Sequence, residues 1–305
     1  MISTSQKVVV AEVGPRDGLQ SFNRWISTED KVAMVDLLSD AELPVIEVTS
    51  FAHPKVVPML TDCEAVLEQI KRRSGTIYRA LVPNKKGAIR AIESGLVDEM
   101  LGLLTVSEAY LRKNQNMTLD QAIDVAGDCF KLSEKAGIQF VMAIGVAFFC
   151  PYQGVISDDA TLNVVNKLYE KGIRRLYLAA STGMENPLHI NRVFTRVLDQ
   201  WPDIELGFHM HERTGMAAAN MFAALNAGAT SVEGSICGIG GGIVMPGGMG
   251  DIGNIPTEDI VNMLNRSGLD TGLDTKLMAL TAKKIEEILG IPSRSFVARN
   301  DDIGV

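Results

Sequence analysis

Short runs rich in β-branched and aliphatic residues alternate with amphipathic stretches from one end of the chain to the other. Eight such runs predict strands over residues 7–13, 44–50, 76–82, 99–105, 139–148, 174–181, 204–211 and 231–237. Between them apolar side chains recur at three- and four-residue spacing, the period of a half-buried helix. The stretch "STEDKVAMVDLLSDA" opens on Ser27 or Thr28, either of which can cap a helix start. "DDATLNVVNKLYEKG" opens on acids, favoured at a helix N-terminus, and closes on Gly172, favoured just past a helix end. A glycine also precedes the strand in "SGLVDEM", "KAGIQF", "KGIRRLY" and "NAGATSV", as expected where a helix turns back into the next strand.

Eight strands alternating with helices over about 235 residues fit a (β/α)8 TIM barrel, whose usual size is ~250 residues. A doubly wound open sheet is the competing arrangement. The count of eight, and the lack of a Gly-rich dinucleotide turn after the first strand, favour the barrel. The chain reads as a single domain over 1–305: barrel at about 7–240, a Gly-rich loop at 238–254, and C-terminal helices at 256–290 that close the barrel.

Composition narrows the picture further. With 46% hydrophobic and 22% charged residues in 305, the chain is a folded globular protein. Its net charge of −8 argues against a nucleic-acid partner, which needs clustered Lys and Arg. No apolar run reaches the length of a membrane span, and the N-terminus lacks the order of a signal peptide. Cys63, Cys129, Cys150 and Cys237 are scattered, which suits reduced thiols and a cytoplasmic location.

In TIM barrels the active site is built at the C-terminal ends of the strands. The first of these ends presents Arg16, Asp17 and Gln20 in "VAEVGPRDGLQ". The seventh carries "GFHMHERTG", which uses two of the chain's four histidines one residue apart. Alternate strand residues share a face, so His209 and His211 both point to the barrel interior or mouth. They are either a metal-binding pair or hydrogen-bonded core histidines. The eighth end opens a Gly-rich loop, "CGIGGGIVMPGGMGDIGN", which reads as a lid or close backbone approach to a ligand, or else as a loose surface loop. Asp17, His209, His211 and Asn254 together would supply two nitrogen and two oxygen ligands. That set suits octahedral Mg²⁺ or Mn²⁺ better than Zn²⁺, which favours thiolate.

The segments "EVGPRDGLQ", "IEVTSFAHPKVVPMLTD", "CPYQGVIS", "FHMHERTG" and "GN…TEDIVNML" resemble the hydroxymethylglutaryl-CoA lyase family, within the DRE-TIM metallolyases. The resemblance runs in order from residue 7 to about 270. It implies a divalent-metal-dependent carbon–carbon lyase and a hydroxyacyl-CoA or hydroxy acid substrate, and it suggests a homodimer. It places the metal on Asp17, His209, His211 and Asn254, Arg16 at the developing enolate charge, and Glu47 as the acid after the second strand. Glu47 also reads as a salt-bridge partner of Arg16. Gln20 is a weaker polar contact. Four further residues are candidate substrate contacts: His53, Ser181, Arg112 and Lys113. His53 also reads as a turn residue. Arg112 and Lys113, in the loop after strand four, also read as solvated surface, as do Lys85 and Lys86 after strand three.

Two departures stand out. The family's lyases carry a cysteine in the Gly-rich loop where this chain has Gly242, and an Asp-Thr pair after strand six where it has Ala180 and Ser181. Neither Gly nor Ala can carry a proton. Cys237 as a substitute, and Glu212 as a group supporting the second histidine, are secondary expectations. The favoured reading is a lyase of related retro-Claisen or retro-aldol chemistry on a different substrate. The alternatives are a Claisen or aldol-type condensing enzyme of the same superfamily and a non-catalytic homologue that binds metal and an acyl ligand.

Overall fold

The computed structural model describes residues 6–241 and 253–300. Its eight long strands are β1 (Val9–Glu12), β2 (Val45–Ser50), β3 (Ile77–Leu81), β4 (Glu99–Thr105), β5 (Gln139–Gly145), β6 (Arg175–Ala180), β7 (Glu205–Glu212) and β8 (Ser231–Gly234). Each pairs in parallel with the next, and β8 pairs with β1 through Val9↔Ser231 and Glu12↔Gly234, so the sheet closes. The architecture is a (β/α)8 TIM barrel. The predicted strands lie where expected, but several are shorter. The first stops at Glu12 because the backbone N–H groups of Arg16, Asp17 and Gly18 all converge on the Val13 carbonyl, winding residues 14–18 into a tight turn. The fifth stops at Gly145, and the chain then forms a two-residue hairpin, Phe149–Cys150 with Gly154–Val155.

The helices are α1 (Thr28–Asp40), α2 (Cys63–Gln69), α3 (Lys85–Ser94), α4 (Glu108–Asn114), α5 (Leu119–Ala136), α6 (Asp158–Glu170), α7 (Pro187–Gln200), α8 (Ala217–Asn226), α9 (Thr257–Arg266) and α10 (Thr275–Leu289). Ser27 is the cap of α1, its hydroxyl accepting the Asp30 N–H at 3.0 Å. The expected loop after strand four is instead the start of a helix. Ser107 caps α4, which places Arg112 and Lys113 in its last turn, where cations suit the helix dipole. Lys85 and Lys86 likewise open α3 behind Asn84. The predicted C-terminal helical region forms two helices: α9 covers the β8–β1 seam and α10 packs on α9 and α1.

The apolar core lies mainly between the strands and their helices. Inside the barrel the apolar part is small: Leu81, Leu101, Val141 and Tyr177, flanked by Leu103 and Ala143. The same inner surface carries Glu47, Arg79, Glu99 and Glu233, all buried. Among the described residues, no helix is long and apolar enough to cross a membrane.

Candidate active site at the strand ends

The turn after β1 delivers Arg16 and Asp17, both under 10% exposed, to the mouth of the barrel. Arg16 is clamped in place. Its Nε donates to Glu47 Oε1, which lies within β2 rather than after it, and its Nη1 donates to Asp17 Oδ1 at 2.8 Å and Gln20 Oε1 at 3.4 Å. Gln20 Nε2 donates in turn to Asp17 Oδ1 at 2.9 Å. Among the described residues Arg16 Nη2 makes no hydrogen bond, so the guanidinium keeps two N–H groups for something else. Burial pushes the Glu47 carboxyl up against the pull of Arg16, and its second oxygen is buried with no partner among the described residues. Burial also works against a charged Asp17, but Arg16 and both imidazoles outweigh it and hold that carboxyl well below the usual range.

The period of strand β7 puts His209 and His211 on the inner face. Each ring is fixed from behind. His211 Nδ1 lies 2.8 Å from the Ser181 carbonyl, which can only accept, so that nitrogen carries the hydrogen. His209 Nδ1 lies 3.0 Å from Glu233 Oε2, and an ionised carboxylate imposes the same tautomer. The two Nε2 atoms, both left with lone pairs, then face each other across 3.2 Å, with Asp17 Oδ2 3.5 Å from that of His211. Two lone pairs and a carboxylate oxygen at such range repel one another unless a positive species sits among them. Burial disfavours an imidazolium at His209, yet Glu233 and Asp17 raise its affinity for a proton, which shows the sign of charge this point calls for.

Asn254 arrives from the far side of the Gly-rich loop. Gly253–Asn254 adds a short antiparallel strand to the end of β7, pairing Asn254 with His211. Its Nδ2 donates to Asp17 Oδ2 at 2.7 Å, while its buried amide oxygen has no hydrogen-bond partner among the described residues. The donor set fits a divalent cation. Asp17, His209 and His211 each offer one atom, all within 4.8 Å of one another, and the orphaned Asn254 oxygen adds a fourth. Ligands held about 2.1 Å from one ion at right angles stand about 3 Å apart, close to the separation of the two imidazole nitrogens.

Other expected residues fall elsewhere. His53 is exposed, and its Nδ1 accepts the Lys55 N–H at 3.2 Å, the turn role. Ser181 touches His211 through its carbonyl; its hydroxyl accepts the Val146 N–H. Arg112 lies 3.8 Å from Glu108 and Lys113 stacks over Tyr152 at 4.7 Å, both side chains exposed. Glu212 does not support His211: its two oxygens accept the N–H groups of Gly215 and Ala217 and tie the start of α8. Cys237 is buried, its Sγ donating to the Ala282 carbonyl on α10, and burial pushes its thiol up. Ala180 is buried on β6, and Gly242 lies outside the described residues.

Sequence reading missed Glu233 and Glu12 beside this site. Glu233, between Val232 and Gly234 in "SVEGS", looks like any strand residue; only the β7–β8 register sets it opposite His209. Glu12 accepts the N–H of Gly14 at 2.6 Å and of Ile236 at 2.9 Å, tying the first strand end to the eighth.

A closed parallel barrel with this donor cluster at the C-terminal ends of its strands defines the class: a TIM-barrel protein with a metal-type site of carboxylate, imidazole and amide groups. A family profile described as HMGL-like matches residues 7–285. The chain is 37% identical to the hydroxymethylglutaryl-CoA lyase of Bacillus subtilis, over 95% of this chain and 96% of that one. It is 35% identical to the mitochondrial enzyme of Mus musculus, over 96% and 89%. A solved structure of the B. subtilis lyase superposes with TM-score 0.92 and 35% identity, covering 98% and 99%. That of an Acinetobacter baumannii HMG-CoA lyase, in complex with coenzyme A and 3-methylmalate, superposes with TM-score 0.90 and 32% identity, covering 100% and 98%. The chain belongs to the HMGL-like family. It is a metal-dependent carbon–carbon lyase of the DRE-TIM superfamily.

Proposed function

We propose that the chain cleaves a carbon–carbon bond in a 3-hydroxyacyl-CoA or related hydroxy acid by a retro-Claisen or retro-aldol route, and that its preferred substrate is not hydroxymethylglutaryl-CoA. Asp17, His209, His211 and Asn254 hold Mg²⁺ or Mn²⁺. The observation that carries this reading is the convergence of two imidazole Nε2 lone pairs and one Asp17 oxygen on a single buried point. When bound, the ion supplies Lewis acidity, lowering the pKa of a chelated substrate hydroxyl.

The chain's own groups do the rest. Arg16, already oriented by Glu47 and Asp17, turns its unused Nη2 hydrogens toward the oxygen on which enolate charge develops, and little reorganisation is needed as that charge appears. Glu47, with one oxygen on Arg16 and the other unpartnered in a buried site, holds or passes a proton at Oε2. Asp17 serves twice, as ligand and as the anion that steadies Arg16. Gln20 and the Ser181 segment border the substrate, and Arg112 and Lys113 on α4 offer cations to a phosphate or carboxylate. The coenzyme A and 3-methylmalate held by the A. baumannii protein support this class of ligand. The altered substrate follows from Ala180 and Gly242, neither of which carries a proton.

Metal analysis after mild purification is expected to find about one divalent ion per chain, absent from His209→Ala and from Asp17→Ala. Full retention in both variants overturns the ligand set. With Mg²⁺ or Mn²⁺ supplied, a panel of 3-hydroxyacyl-CoA esters and free hydroxy acids is expected to include a substrate cleaved far faster than hydroxymethylglutaryl-CoA. Turnover of the latter at the rate of the authentic lyases overturns the change of substrate.

A further inference from the structure

Below the site the barrel interior carries a ladder of buried charges. Arg79, 1% exposed, donates from Nε to Glu99 Oε1 and from Nη1 to Glu233 Oε1, each at 2.6 Å. The second oxygen of Glu99 accepts from Arg175 near the opposite end of the barrel. The second oxygen of Glu233 faces His209 Nδ1. Register fixes the order: Arg79 pairs with Glu99 across β3–β4, and Glu233 with His209 across β7–β8.

We propose that Arg79 is a positioning residue for His209, acting through Glu233, and that this ladder decides which nitrogen of His209 is free to bind a metal. The inference rests on the metal reading above. An arginine is a donor only, so whatever group of residue 233 faces Arg79 must be an acceptor. With Glu233 this leaves a second acceptor facing His209 Nδ1, which therefore keeps its hydrogen and leaves Nε2 as the ligand atom. His211 differs: its Nδ1 partner is the Ser181 main-chain carbonyl, which no side-chain change at positions 79 or 233 alters.

The arrangement makes an unusual expectation for Glu233→Gln, a change that preserves shape. An amide has one acceptor and one donor end. Arg79 takes the oxygen, so the NH2 group turns to His209 Nδ1, which must then accept; the hydrogen moves to Nε2 and the ligand lone pair is lost. Removing the guanidinium as well, in Arg79→Met/Glu233→Gln, frees the amide to turn its oxygen toward His209. Glu99 keeps Arg175 in that variant.

The test is Mn²⁺ titration calorimetry on the full metal-free chain, with long-range ¹H–¹⁵N spectra of the imidazoles at alkaline pH. The four histidines make the spectra assignable. Glu233→Gln is expected to weaken Mn²⁺ binding by roughly ten- to a hundredfold and to shift His209, but not His211, to the Nε2–H form. The double variant is expected to recover most of the affinity and the Nδ1–H form. A merely structural role for Arg79 predicts the opposite ranking, since the double variant loses more contacts. His209 still protonated at Nδ1 in Glu233→Gln overturns the proposal, whether or not the double variant folds. So does a folded double variant that binds no better than the single one. If the unmodified chain takes up no Mn²⁺, the metal reading fails, while the tautomer comparison still decides the part played by Arg79.

Discussion

Gly240→Ala is the substitution that most directly probes how closely the Gly-rich loop approaches the metal site. Gly240 adopts φ +137°, and a Cβ built there falls 2.3 Å from Asn254 Nδ2 and 3.5 Å from Asp17 Oδ2. To restore ordinary contact the amide must retreat by roughly 1 Å. It is held by hydrogen bonds of 2.7 Å to Asp17 Oδ2 and 3.3 Å to the Ile239 carbonyl, and neither survives such a shift. Losing a buried bond to a charged group costs about 1.5–3 kcal/mol, and forcing an L-residue into that backbone region about 1–3 kcal/mol. A total of about 2.5–6 kcal/mol is expected in denaturant unfolding of the metal-free chain. The two parts separate in a double-mutant cycle. In an Asn254→Ala background the clash is gone, so Gly240→Ala is expected to cost only the backbone share. Equal costs in the two backgrounds would refute the steric account, and a cost below about 0.5 kcal/mol in the parent chain would refute both parts.

Arg16→Lys is expected to lower kcat on the true substrate by several orders of magnitude, since an ammonium cannot hold Glu47 and Asp17 and still present two N–H groups; a barely altered kcat contradicts the charge role. Glu12, buried against two main-chain N–H groups, has its carboxyl raised from 4.5 to about 7 by desolvation. The folded chain therefore binds that proton more tightly than the unfolded one. Its contribution is present at acid pH and is lost as pH rises from about 4.5 to about 7, by up to about 3 kcal/mol. Urea midpoints are expected to fall over that window relative to Glu12→Gln; parallel profiles would show the raised affinity to be wrong. Cys237→Ser is expected to leave turnover within about twofold, because the thiol points to Ala282 on α10 rather than to the mouth. A large fall in kcat at unchanged stability would return Cys237 to the site.

What could be read from the chain alone depended on which groups advertise themselves locally. Strand and helix periods are short-range, so the eight βα units were legible, and with them the barrel and the strand ends. His209 and His211 were legible because period two puts both on one face, and Asp17 because it sits in a turn directly after a strand. Asn254 was legible as a residue but not in its mechanism: its placement comes from a two-residue antiparallel strand against β7 that no period announces. His53 was legible only as an either-or, since a histidine beside a strand end suits a ligand contact as well as a turn; its ring accepts from the Lys55 main chain. Glu212 misled for a related reason: an acid following a metal-type histidine was instead needed by two unsatisfied N–H groups ahead of α8. Glu233, Glu12 and Arg79 were illegible in principle. Each has a partner across a long sequence interval, set by the register of the closed barrel.

The charged interior of that barrel also separates stability from function. TIM-barrel interiors are ordinarily filled by branched apolar side chains, and the small Leu81–Leu101–Val141–Tyr177 patch shows that this sheet can pack so. Arg79, Glu99 and Glu233 occupy the same inner surface at under 5% exposure. Stripping water from such groups costs several kcal/mol per ion, and replacing a buried ion network by apolar residues of equal volume is often neutral or stabilising. Stability therefore gives no reason for the ladder. What an apolar filling could not supply is a second acceptor behind His209, held at a fixed angle by a donor that cannot exchange roles. A jointly apolar interior, Arg79→Leu with Glu99→Leu and Glu233→Leu, is thus expected to keep or raise the unfolding midpoint while Mn²⁺ affinity falls, because His209 Nδ1 then faces no acceptor. A variant that lost stability and affinity together, in proportion, would show the ladder to be part of the scaffold instead.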